Sequence, residues 1–150
     1  MDIIYIWGII ILAVIVLAAG TYFFYKYKKK TKQSDHYLQA LENMLVDDKR
    51  QAIEKLKKSV KENTENIEAY IKLGNLLREQ GLAKNAVRIH SDLTFRNNVS
   101  KAQRINILEA LFEDYNQAKD WISMSKTGKK LLAISKDEEV KAWVTKSADQ

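Results

Sequence analysis

The chain has 150 residues, no cysteine and no proline, which leaves room for one modest domain plus a further segment and excludes disulfide scaffolds and thiolate metal centres. Its formal net charge of +6 is uneven. Lys26, Lys28, Lys29, Lys30 and Lys32 supply five of the 25 basic residues, and the 20 that remain face 18 acids once Asp2 is set aside. The folded part is nearly balanced, so the basic character marks that cluster and not a nucleic-acid-binding face.

From Ile3 to Tyr25 the sequence runs without a charge. At about 1.5 Å per residue, a helix over that run crosses a hydrocarbon core of about 30 Å with some tilt. Tyr5 and Trp7 stand near one end and Tyr22, Phe23, Phe24, Tyr25 and Tyr27 near the other, as aromatic side chains do at the two interfaces. The lysine collar follows the apolar run. Lysine asymmetry therefore places the N-terminus outside and the remainder in the cytoplasm, as a single-pass protein of the inner (cytoplasmic) membrane, with the collar attracting anionic lipid. A cleaved signal peptide carries its charge before a shorter apolar core, the reverse of this order. The expected division is an anchor at 1–25, a basic juxtamembrane linker at 26–35 with a polar stretch from Thr31 to Asp35, and a helical domain at 36–150.

Beyond the linker, apolar residues recur at helical spacing. Tyr37, Leu38, Leu41, Met44 and Leu45 form one stripe, and Ala52, Ile53, Leu56 and Val60 the next, with Asp47 and Asp48 as turn and N-cap. A second pair follows: Ala69, Tyr70, Leu73, Leu76 and Leu77, a break at Gly81, then Ala86, Val87, Ile89, His90 and Leu93. Ala52 and Ala86 stand one tetratricopeptide period apart, and each precedes a β-branched residue. That period, with Tyr70, the Leu73–Gly74 pair, Gly81 and Ala86 in their expected slots, is the tetratricopeptide signature. Gly74 and Ala86 are read as the thin points of the helix crossing, and Gly81 as a positive-φ helix end. Ala40 stands where the first repeat expects glycine.

A third pair is marked by Ile107, Leu108, Leu111, Phe112 and Tyr115, then Trp121, Met124, Leu131 and Leu132. Met124 takes the slot of Ala86 but falls about one helical turn beyond the period, and the extra residues are assigned to the polar link from Asn97 to Gln103. Gly128 is expected to weaken the second helix. A last helix at 137–147, with Val140 and Trp143 on one face, has no predicted partner, so the sequence is read as stopping inside a longer array. The expected fold is thus all-α: one transmembrane helix, then a right-handed solenoid with repeats at about 36–66, 67–98 and 104–135 and a final unpaired helix.

The segment Leu73-Gly74-Asn75-Leu76-Leu77-Arg78, with Gly81 and Ala86-Val87-Arg88-Ile89-His90, resembles the N-terminal half of the lipopolysaccharide assembly protein B family. The resemblance implies an N-terminal anchor, a basic flank and cytoplasmic repeats. It also implies an adaptor role with a membrane protease and its client, in control of the step that commits cells to lipid A synthesis. Members of that family end in a cysteine-built metal module, and these 150 residues hold no cysteine.

No phosphate loop, nucleophile elbow or paired metal ligands occur, so no catalytic residue, cofactor or metal is assigned. His36 and His90 lack a ligand partner, and His90 is expected in the core. The expected partners are proteins, bound as a peptide or helix in the repeat groove, and lipids at the collar. On the concave side, Lys72, Asn75, Arg78 and Glu79 are the predicted contacts, Arg78 for a carboxylate and Asn75 for a peptide backbone. Glu109, Glu113 and Asn116 are weaker candidates. Two further readings stay open: a small structural subunit assembled through its anchor, and a lipid-surface protein driven by the collar.

Overall fold

The computed structural model of the protein describes the backbone of residues 2–148 and the side chains of residues 5–25 and 35–147. Its first helix, α1, runs unbroken from Asp2 to Leu45. The polar stretch at 31–35 is therefore no interruption. Neither glycine nor proline occurs there, and Lys, Gln and Ser are tolerated within a helix that packing holds at its far end. The side chains of Lys26, Lys28, Lys29, Lys30 and Lys32 lie outside the described residues. Tyr5–Tyr25 has a mean hydropathy of 2.4 and no part of it is buried, so α1 holds a segment long and apolar enough to cross a membrane.

Six helices follow among the described residues: α2 (Lys49–Glu62), α3 (Ile67–Glu79), α4 (Ala83–Thr94), α5 (Lys101–Ala118), α6 (Trp121–Ile134) and α7 (Glu138–Ala148). No strand occurs among them. Each helix packs on its neighbour in sequence, and α3 also packs on α5. The first helices of successive pairs therefore form one layer and the second helices cover it, the arrangement of an α-solenoid. Tyr70 joins two parts of the core, touching both the cluster around Leu56 and Leu73 and the cluster around Ile71, Leu93 and Ile107. Its far face carries the Arg96 guanidinium, 4.5 Å from the ring centre.

The turns make the repeat visible. Asp47, Gly81 and Lys119 all take positive φ, at 57°, 78° and 57°. Each closes its helix with the same two hydrogen bonds. Gly81 N–H donates to Arg78 O and Leu82 N–H to Leu77 O, both 2.9 Å, and the pairs at Asp47–Asp48 and Lys119–Asp120 repeat the pattern. Asp47 and Gly81 stand one repeat period apart, as do the N-caps Asn66 and Ser100, whose side chains accept from Ala69 N–H and Gln103 N–H. The whole stretch from the Gly81 turn to the cap of α5 is thus of normal length, a shorter α4 offsetting a longer link. The extra residues lie within α5, which has 18 residues where α3 has 13, so the Asn97–Gln103 assignment is corrected: the insertion is one added helical turn.

Two expectations near the end of the chain also change. Gly128 does not interrupt α6. A Cβ there would sit 3.0 Å from Val144 Cγ1 and 3.1 Å from Phe112 Cε2, so the glycine is what lets α7 approach α5 and α6. Trp143 does have a partner, packing edge-on against Phe112 at 4.8 Å, while Val144 is buried. The final helix is docked on the third pair.

Candidate functional site

Three side chains lock α3, α4 and α5 together. His90 and Asp114 are both wholly buried. The imidazole Nδ1–H donates to Asp114 Oδ2 at 2.5 Å, since a carboxylate only accepts, and Nε2 lies 3.2 Å from the Ile71 carbonyl oxygen. Arg78 donates to the other Asp114 oxygen at 2.8 Å and to the Ala110 carbonyl at 3.2 Å. Gly74 makes room for the ring: a Cβ there would fall 2.5 Å from His90 Cε1. What Gly74 most closely admits at this crossing is the His90 ring, and Ala86, one turn earlier on α4, is fully buried as a small residue there should be.

Beside this lock lies a groove of about 550 Å³ lined by the first helices of three successive units. From α3 it takes Ile71, Asn75 and Arg78, and from α5 Asn106, Glu109, Ala110 and Glu113. Both sets follow i, i+3/i+4, i+7 spacing, so each is one helix face. Glu139, Val140 and Trp143 of α7 close the third side. The floor is apolar and the rim is acidic. Glu109, Glu113 and Glu139 make no ion pair with another described residue. Burial, reinforced by the nearby Asp137, holds the Glu109 carboxyl above the usual carboxylate range. The Asn75 Oδ1 is buried and has no hydrogen-bond partner.

Of the four predicted contacts, Asn75 and Arg78 line the groove, and Arg78 is bound to Asp114. Lys72 is half-exposed and does not line it. Glu79 pairs with Lys49 of α2 at 3.0 Å and belongs to another surface. Glu109 and Glu113 stand in the wall, and Asn116 does not. The reading of residues alone missed Asp114 as the partner of Arg78 and the α7 wall. Arg78 and His90 stand out from the sequence, but their meeting at Asp114 depends on how three helices stack. Among the described residues no cluster of His, Cys, Asp and Glu suits a metal ion.

No family model matches the chain. Over 93 residues, 62% of its length, it is 29% identical to lipopolysaccharide assembly protein B of Escherichia coli K12. The chain shows distant similarity to lipopolysaccharide assembly protein B. The proteins of that name from Escherichia coli O6:H1 and O157:H7 give the same figures. The resemblance expected from the Leu73–His90 segment is borne out to this extent. The matched stretch covers 24% of those relatives, about a quarter of their length.

Proposed function

We propose that this chain is a membrane-anchored tetratricopeptide-type scaffold that takes part in lipopolysaccharide assembly, holding a protein partner in the α3–α5–α7 groove. The observation that carries the reading is the groove itself: an open, mostly apolar trough on consecutive first helices, in a solenoid continuous with a membrane-length helix. The similarity to lipopolysaccharide assembly protein B supports the process, and lysine asymmetry supports an inner-membrane location with the repeats in the cytoplasm. In this reading the chain is an adaptor, bringing a cytoplasmic client to a membrane partner such as a protease. Catalysis is left to the partner.

The test is lipopolysaccharide content per cell in the native host. Deletion should shift that content, and the wild-type chain should restore it. Asn106→Trp, which fills the groove from an exposed position, should fold and reach the membrane but fail to restore it. Lipopolysaccharide unchanged by deletion removes the assembly role. Full rescue by Asn106→Trp removes the groove from it.

A further inference from the structure

We infer that the occupant of the α3–α5–α7 groove is cationic: a protein segment presenting Lys or Arg beside an apolar side chain. The inference rests on the reading that this groove is a protein-binding site, and it specifies the chemistry of the partner.

The sign of the groove favours a cation. Among the described residues Arg78 is the one base in its lining, and its Nη1 donates to both Asp114 and the Ala110 carbonyl, so its charge is matched within the fold. The group expected to receive a partner's carboxylate already has one in Asp114. What remains without an ion-pair partner among the described residues is Glu109 and Glu113 on α5 and Glu139 on α7. An acidic segment entering here would meet three like charges, one of them partly desolvated. A basic one would form charge-assisted hydrogen bonds with carboxylates that the fold leaves unmatched.

The lining between those charges suits the same occupant. Asn75 lines the groove, and an amide side chain both donates to and accepts from a backbone. Trp143, Val140 and Ile71 offer apolar surface to the alkyl stem of a Lys or Arg. A volume of about 550 Å³ holds a few side chains, not a folded domain. The outer helices carry the opposite sign. Six, two and three Lys/Arg in α2, α4 and α6 face two, one and no Asp/Glu, so a cationic segment is directed toward the concave side.

The experiment pans a random dodecapeptide display library against the full chain in phosphatidylcholine nanodiscs, which lack anionic lipid. Peptides that survive are titrated against Trp7→Phe/Trp121→Phe protein, leaving Trp143 as the reporter. We expect the pool to be enriched in Lys and Arg and its members to shift Trp143 emission. Glu109→Gln/Glu113→Gln/Glu139→Gln should weaken binding at least about tenfold. The charge swap Glu113→Lys/Glu139→Lys, at positions outside the core, should select Asp- and Glu-rich peptides instead. A pool that shifts Trp143 but is acidic or unbiased overturns the charge assignment and leaves the groove standing, as does a charge swap that still selects basic peptides. Selected peptides that leave Trp143 unmoved, or no selection at all, overturn both the assignment and the groove reading.

Discussion

Glu113 and Asp114 are consecutive carboxylates on α5 with opposite situations. Asp114 is fully buried and held by Arg78 and His90, so it fastens α3, α4 and α5. Glu113, about 100° further round the helix, lines the groove with no ion-pair partner among the described residues. The two differ in neither charge nor helix. Position on the helix decides which carboxylate holds the fold and which faces a ligand. The charge that matters for a partner is the one the fold leaves unpaired.

That comparison breaks most sharply at Asp114. Asp114→Ala strands the Arg78 guanidinium and the His90 ring beside each other, and removal of one member of a buried ionic network costs about 3–5 kcal/mol. Urea unfolding of the detergent-solubilised chain, followed by far-UV circular dichroism, should show that loss, whereas Glu113→Gln should change stability by less than about 0.5 kcal/mol. Equal effects at the two positions would erase the distinction. Gly74→Ala tests the same lock from the other helix. Its Cβ forces His90 from its place, and the overlap plus the lost hydrogen bonds should cost about 2–3 kcal/mol in the same assay. Gly128→Ala would press on Val144 and Phe112 at 3.0 and 3.1 Å, closer than ordinary contact but a milder overlap than at Gly74, and should cost about 1–2 kcal/mol. That cost should appear as faster amide exchange in α7, the third wall of the groove, with α3 and α4 unchanged.

The smallest effect has the opposite sign. Burial and Asp137 raise the proton affinity of Glu109 in the folded chain, so ionisation costs the folded state more than the unfolded one. That cost is absent while both states are protonated. It grows as pH rises through the ordinary carboxylate range and is complete above the raised folded value. Glu109→Gln should therefore stabilise the chain at about pH 7, by no more than about 0.5 kcal/mol because the group is largely solvent-screened. At about pH 3 it should do nothing. Melting curves at the two pH values check it.

Much of this architecture was legible in the sequence. The apolar run, the helix pairs, the turn at Gly81 and the repeat period are local patterns, and each appears in the structure. The insertion was misplaced because a lengthened amphipathic helix and a lengthened polar link conserve the same total spacing. Only the Ser100 cap separates the two, and its capping box with Gln103 was present to be read. The polar link before the domain was misjudged because composition alone does not end a helix that has neither glycine nor proline in it. The groove was half legible. Asn75, Glu109 and Glu113 follow from helical faces, but the sign of the site depended on Arg78 finding Asp114, far along the chain on another helix. The balanced total charge likewise concealed its sorting by layer, which is a sum over helices and not over the chain.

Photo-cross-linking in intact membranes tests the groove most directly. A benzoylphenylalanine at Asn106 stands in the trough, and one at Lys84 stands on the exposed surface of α4, away from it. A discrete protein adduct is expected from position 106, none from position 84, and loss of the first when Glu113→Lys/Glu139→Lys is added. An adduct that forms equally from both positions, or that survives the charge swap, would contradict the groove reading.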